Sequence, residues 1–229
     1  PPLNEIHWNE YFSQYKNIPQ YKLINYDMKI DEFKFIFWWE YLHRLVARIL
    51  GLFYLMPLIY FIHKKFINKS NLFFYFSVLF LICFQGFAGW FMVSSGLSQN
   101  VDVSHFRLAF HLSMAVIIIS LFFWSYLNSS TQDLSLNFNS YTVSLLLFLF
   151  LIFFQIIYGA FTSGLDAGLI YQSWPNMNLN FIAEEISFKS FFSLNLFTDM
   201  AHVQFIHRIN AYLIFIFYLV FYFYYFRAL

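Results

Sequence analysis

Histidine recurs beside arginine at two distant places in an otherwise apolar sequence. Residues 40–47 read EYLHRLVA, and residues 204–211 read QFIHRINA. In both stretches a side chain that accepts hydrogen bonds stands three residues before the histidine, and an alanine stands four residues after it. On a helix these three side chains share one stripe, and the small alanine lets a bulky group approach it. The repeated pattern indicates two related halves of the protein.

Three histidines are candidate axial ligands of a haem iron. His43, His111 and His207 each stand roughly six to nine residues into an apolar segment, and alternate segments of an up–down bundle begin on the same side. A rise of about 1.5 Å per residue then places all three in one layer roughly 10 Å below the non-cytoplasmic surface. Haem iron accepts imidazole nitrogen in this way. The alternative is that each histidine only bridges helices by hydrogen bonding.

Glu40 is the least ordinary residue of the apolar segments. An ionisable acid inside lipid is unfavourable unless it is paired, protonated or hydrated. Its spacing permits an ion pair with Arg44, and its place one turn before His43 also suits a carboxylate that handles protons or substrate. Three roles stay open for Arg44 and Arg208: they bind haem propionates, they neutralise Glu40, or they hold backbone carbonyls. The remaining histidines are predicted near the membrane surfaces or in loops: His7, His63, His105 and His202.

The composition predicts how these residues are positioned. Of the 229 residues, 60% are hydrophobic and only 11% are charged, whereas soluble domains carry roughly 25% charged residues. A helix needs about 20 apolar residues to cross a bilayer, and backbone groups in lipid must be bonded within the segment. The sequence therefore predicts an all-α polytopic membrane bundle with five spans: Phe35–Ile62, Leu72–Val93, Ser104–Leu127, Tyr141–Thr162 and Ala201–Phe226.

The connecting segments set the orientation and the domain boundaries. Residues 1–34 form a predicted extramembrane segment, residues 35–127 a first bundle of three helices, and residues 128–229 an incomplete second bundle. The basic residues Lys64, Lys65, Lys69 and Arg227 mark the cytoplasmic or matrix side. The long link from Ser163 to Met200 is predicted to cover the second-half site. The single cysteine, Cys83, cannot form an internal disulfide, and a net charge of +1 argues against a nucleic-acid partner.

An ordered set of short motifs resembles the haem A synthase family, in the type that lacks loop cysteines. In chain order they are Pro1-Pro2-Leu3-Asn4 with Trp8, Phe37-Trp38-Trp39-Glu40 with His43-Arg44, Gly89-Trp90 with Ser95-Gly96-Leu97, Arg107-Leu108-Ala109 with His111-Leu112, Gly159-Ala160 with Gly164-Leu165-Asp166-Ala167-Gly168, Trp174-Pro175 with Met177, and Val203-Gln204-Phe205 with His207-Arg208 and Ala211-Tyr212. The resemblance covers nearly the whole chain. His105 departs from it, because the family usually has proline there.

The resemblance implies eight membrane helices in two four-helix halves, each half with one haem site. Of these helices, the first and those after the sixth are expected to lie outside this sequence. The implied reaction oxidises a methyl group of haem O to the formyl group of haem A, for cytochrome oxidase biogenesis. His43 and His111 would be the ligands in the first half, His207 one ligand in the second, and Glu40 the catalytic carboxylate.

The same resemblance implies a setting for the chain. Haem b is the expected cofactor and haem O the substrate, with haem O synthase, an electron donor and membrane lipid as partners. Association into a homo-oligomer is left open. The location is the mitochondrial inner membrane or the bacterial plasma membrane. Two alternatives compete with the enzyme: a bis-histidine membrane cytochrome, which would need the histidines but not Glu40, and a haem-handling assembly protein.

Overall fold

The fold of the described residues consists of α-helices joined by loops and short 3-10 turns. The structure, a computed structural model, describes residues 1–96, 101–130 and 138–225. Its α-helices are α1 (Glu5–Tyr15), α2 (Pro19–Leu23), α3 (Ile30–His63), α4 (Lys69–Val93), α5 (His105–Ser130), α6 (Ser140–Gly164), α7 (Asn195–Thr198) and α8 (Met200–Tyr225). Short 3-10 turns span Ala167–Leu169 and Phe188–Phe192. The predicted all-α class is confirmed.

Five of these helices are long and apolar enough to cross a membrane: α3, α4, α5, α6 and α8. They coincide with the five predicted spans, and the large aromatic and aliphatic side chains on their surfaces are mostly exposed. Lipid is the solvent that makes such surfaces stable. The chain is therefore an integral membrane protein. Leu97 of the third motif, the predicted end of the last span at Phe226, and Arg227 lie outside the described residues.

Helix α3 begins five residues before the predicted start of the first span. Helix α3 begins at Ile30, where the backbone N–H of Lys29 donates to Glu32 Oε2 at 2.7 Å. Its 34 residues span about 51 Å, well beyond the roughly 30 Å hydrocarbon core of a bilayer. The additional turns pack against α1, where Trp8, Phe12 and Phe33 form a buried aromatic cluster. Because α1 covers these first turns of α3, the helix can extend beyond the hydrocarbon core of a bilayer.

Two compact units make up the chain, residues 1–104 and residues 105–229. In the first unit α3 and α4 run antiparallel, and Tyr54 OH on α3 donates to the Tyr75 carbonyl on α4 at 2.9 Å. The boundary between these units, at residues 104 and 105, differs from the boundary between the two predicted halves, which falls between residues 127 and 128. Helix α5 packs on α6, which places it in the second unit. The repeat-based halves stay a prediction, because packing units and sequence repeats need not share boundaries.

In the second unit α6 packs against both α5 and α8 and runs antiparallel to each. Helices α5 and α6 approach closely at Gly164, where an added Cβ would lie 2.8 Å from His105 Cβ and 2.9 Å from its Cα. Only glycine permits this approach of two backbones. The α6–α8 contact is tied at one end by Ser140 Oγ and Tyr225 OH, 3.0 Å apart. This arrangement fixes the register of the three helices.

Candidate functional site

Glu40, His43 and Arg44 form an exposed polar strip on α3. Arg44 Nη1 donates to Glu40 Oε2 at 3.1 Å, one turn apart on the helix. The Glu40 side chain is 60% exposed and that of Arg44 is 47% exposed. Of the three roles open to Arg44, the structure thus contains the one that neutralises Glu40. An ion pair within one helix lowers the cost of a charge next to lipid.

The strip lies directly after the turns of α3 that pack against α1. Phe37, one turn before it, still contacts Trp8 of α1 at 5.1 Å between ring centroids. His43 stands thirteen residues after the start of α3 at Ile30, not the six to nine counted from Phe35. The five additional residues belong to the turns that pack against α1, so a count from Ile30 does not measure depth in a membrane. His43 is exposed, and a shared layer for all three histidines stays a prediction.

His111 and His207 lie at matching positions of antiparallel neighbours of α6. His111 is six residues after the start of α5, and His207 is seven residues after the start of α8. At about 1.5 Å per residue, both stand roughly 10 Å along their helices from the same side. Both side chains are half-buried. The two histidines therefore lie about equally far along their helices, while their depth in the membrane stays a prediction.

The His207 imidazole sits between α6 and α8. A Cβ at Gly159 would lie 3.3 Å from His207 Cε1, so glycine makes room for the ring. Gln155 Nε2 lies 3.2 Å from each ring nitrogen and donates to the His207 carbonyl at 3.1 Å. A half-buried imidazole in apolar surroundings, with a small residue beside it, fits the role of an axial haem ligand.

Two amide side chains at this place were missed by sequence reasoning. Asn210 Nδ2 donates to Gln155 Oε1 at 2.7 Å and to the Leu151 carbonyl at 3.0 Å. Asn210 is buried. Amides within apolar spans are the available signal, because buried polar groups in lipid require partners. Which partner each amide finds depends on the helix register, which the sequence alone does not specify.

Arg208 holds the long loop against α8. Its Nη2 donates to the Tyr171 carbonyl at 2.7 Å, and its Nη1 donates to the carbonyls of Ser173 at 2.9 Å and Asn176 at 3.2 Å. Gln204, only 4% exposed, adds a bond from Nε2 to the Tyr171 carbonyl at 2.9 Å. Arg208 therefore holds backbone carbonyls, the third of its three open roles. Binding of propionates by either arginine stays a prediction.

The loop has a small core of its own. Met177, Tyr171 and Ala183 are buried together with Ala201 of α8. Tyr171 OH donates to Glu185 Oε2 at 2.6 Å, and this bond, with burial and nearby carboxylates, raises the pKa of Tyr171 to about 12. The same bond lowers the pKa of the exposed Glu185. Trp174 of the Trp174-Pro175 motif lies outside this core and is 74% exposed.

His202 lies next to the loop, as predicted, but it is one of the most buried side chains at 2% exposure. Its Nδ1 lies 2.6 Å from Asp199 Oδ1, and its Nε2 lies 2.6 Å from Ser190 Oγ. Burial of Asp199 would raise its pKa, but the hydrogen bonds from His202 outweigh that and lower it. His202 thus ties the 3-10 turn at Phe188–Phe192 to the start of α8.

Replacing Arg208 by Met should release the loop. The substitution keeps an unbranched side chain but removes three charge-assisted hydrogen bonds to carbonyls, each worth roughly 1.5–3 kcal/mol. We expect limited proteolysis of the full-length protein in membranes to cut between residues 171 and 180 about tenfold faster. Arg48→Met, on the exposed surface of α3, is the matched control. Equal cleavage rates in the two variants would show that Arg208 does not restrain the loop.

The comparisons with known proteins agree with the motifs. The family profile described as cytochrome oxidase assembly protein matches residues 1–229. The chain is 49% identical over 229 residues to the protein named haem A synthase of Pelagibacter ubique strain HTCC1062, covering 99% of this chain and 67% of that protein. The chain belongs to this cytochrome oxidase assembly family. Its resemblance to the haem A synthases is thereby confirmed.

Further relatives of the family come from bacteria. The protein named haem A synthase of Rickettsia bellii strain RML369-C is 44% identical over 216 residues, covering 93% of this chain and 64% of that protein. That of Rickettsia felis is 43% identical over 220 residues, covering 94% and 65%. No solved structure matches the chain. The five apolar helices and these relatives place this family member in the bacterial plasma membrane, and it spans about two thirds of the length of the curated relatives.

Proposed function

We propose that the full-length protein is a haem A synthase, an oxidoreductase that converts a methyl group of haem O into the formyl group of haem A. One observation carries the proposal: on α3, Glu40 stands one turn before His43. The proposed reaction needs an axial ligand of the haem iron and an acid side by side. Membership in the family and the names of the relatives support it. An apolar, lipid-embedded setting suits a hydrophobic substrate.

The site residues divide into ligands and a proton carrier. His43 and His111 are proposed as axial ligands of the first-half haem, and His207 as a ligand of the second-half haem. When bound, haem supplies the redox chemistry, with haem b as the resident cofactor and haem O as the substrate. Two successive hydroxylations of the methyl carbon would each insert one oxygen atom of O2 and reduce the other to water with two electrons from the donor and two protons, and loss of water from the resulting diol gives the formyl group. We propose that Glu40 delivers these protons. Arg44 holds Glu40 in position through the 3.1 Å pair.

Partners follow from this reaction. Haem O synthase would deliver the substrate, and an electron donor would exchange electrons with the bound haem. The membrane-facing surfaces contact lipid, and assembly with further copies of the chain is compatible with the extensive exposed apolar surface.

The proposal is tested by expressing the full-length gene in a bacterial host that makes haem O but no haem A. Chromatography of the extracted haems should reveal haem A only when the gene is present. A membrane cytochrome would add bound haem b and leave haem O unconverted. Haem O without haem A, in cells whose membranes contain the folded protein, would reject the enzyme and favour that alternative.

A further inference from the structure

The contact between Gln155 and His207 has an unusual geometry. The amide nitrogen Nε2 of Gln155 lies at the same distance, 3.2 Å, from both ring nitrogens of His207. Nδ1 and Nε2 flank Cε1 in the five-membered ring. An atom equidistant from both at this range would overlap a ring carbon if it lay in the ring plane. The amide nitrogen therefore lies over the face of the imidazole, where an N–H group contacts the π system.

This position leaves the in-plane directions of both ring nitrogens to other partners. The lone pair of a neutral imidazole and its N–H bond both lie in the plane of the ring. A ligand on one nitrogen and an acceptor for the N–H group on the other are compatible with an amide over the face. Gln155 therefore contacts the ring without competing for the nitrogen that an iron would need.

The amide itself is held in one orientation. Gln155 Oε1 accepts a hydrogen bond from Asn210 Nδ2 at 2.7 Å, and Gln155 Nε2 donates to the His207 carbonyl at 3.1 Å. Exchanging the oxygen and nitrogen of Gln155 would face two donors against each other at Asn210, so the network fixes the assignment. Beside the ring, the backbone at Gly159 closely approaches Cε1. The imidazole is thus confined by α6 through an amide and a glycine.

We propose that Gln155, braced by Asn210, is a positioning residue that fixes the plane of the His207 imidazole for binding to the haem iron. The inference rests on the proposed function, in which His207 is an axial ligand. Outer partners that hydrogen-bond a ligating histidine commonly change metal affinity 10- to 100-fold when removed, and we expect a contact over the ring face to lie at the lower end of that range. The same spacing of glutamine and glycine recurs in α4 as Gln85 and Gly89, which is consistent with a repeated positioning element.

The orientation of an axial imidazole has a spectroscopic signature. The π orbital of the ring is perpendicular to its plane, so rotation about the iron–nitrogen bond changes the splitting of the iron d orbitals. Electron paramagnetic resonance of low-spin ferric haem reports that splitting through its g values. A residue that merely stabilises the helix pair would leave this signal unchanged in the protein that still folds and binds haem.

The test compares full-length wild type, Gln155→Met and Asn210→Leu, each purified with haem. Gln155→Met keeps the length of the side chain but removes the amide. We expect a shifted and broadened largest g value of the second-half haem, and about tenfold weaker haem binding. Asn210→Leu keeps Gln155 but frees its oxygen, so the same signal should broaden with a smaller loss of affinity. Ser144→Ala is the control, because it loses an α6–α8 contact, with Tyr225 at 3.4 Å, away from His207.

The outcomes separate this inference from the proposed function. His207→Ala should remove the second-half signal; if it leaves both the spectrum and the haem content unchanged, His207 is not a ligand and the proposed site fails. If His207→Ala removes the signal while Gln155→Met and Asn210→Leu match wild type, only the positioning role is overturned. Should Gln155→Met not fold, Asn210→Leu decides alone: a broadened signal supports the role, and a wild-type signal overturns it.

Discussion

Glu40→Gln in the full-length protein is expected to abolish haem A formation while leaving haem bound. The substitution preserves the shape of the side chain and its ability to accept a bond from Arg44, but removes the group that carries a proton. Haem O or a partly oxidised intermediate should accumulate in the extracted haems. A loss of at least two to three orders of magnitude in the rate is the expectation for a general acid–base group. Extraction and chromatography measure it directly.

The control for this experiment is Glu32→Gln. Glu32 caps the start of α3, eight residues before Glu40, and lies outside the polar strip. It should produce haem A at close to the wild-type rate. If Glu40→Gln made haem A normally, Glu40 would have no part in the reaction. If it lost haem altogether, the ion pair with Arg44 would be the sole task of Glu40, as a structural residue of α3.

His207→Ala is expected to reduce the haem bound per full-length protein from two to one. An alanine offers no nitrogen to the iron, so the proposed second-half site loses the ligand that packs against Gln155 and Gly159. Spectra of the reduced protein should retain the first-half haem. The bound haem is quantified by extraction against protein concentration. His63→Ala, at the exposed end of α3, is the matched control and should retain both haems.

A wild-type haem content in His207→Ala would remove this residue from the second-half site. A loss of both haems, with the protein still helical and inserted, would show that the two sites fold together, rather than as independent halves. In that case the stoichiometry of His43→Ala should also fall to zero.

The five membrane helices were predictable because the length of an apolar run is set by the thickness of the bilayer. The pair of Glu40 and Arg44 was equally accessible, since residues four apart on a helix are neighbours. Both features depend on one helix alone. The early start of α3 was not predicted, because it depends on the packing of α1 against Phe33.

The contacts of α8 with its neighbours could not be predicted in the same way. Gln155 meets His207 and Asn210 only in one register of α6 against α8. The three possible roles of Arg208 were equivalent in sequence, and the fold of the loop around Tyr171 decides which of them it performs. The burial of His202 also depends on tertiary packing, because the 3-10 turn at Phe188–Phe192 covers it.

The ion pair on α3 has a consequence for the synthesis of the protein. Glu40 and Arg44 meet within a single turn, so their mutual neutralisation is complete as soon as that turn becomes helical. The segment can leave the translocon for lipid without waiting for a partner helix. Arg208 instead uses carbonyls of residues 171, 173 and 176, which are translated before α8. The hydrogen-bond partners of Arg44 and Arg208 are therefore synthesised before each arginine emerges from the ribosome. Neither arginine needs to enter the bilayer as an isolated cation.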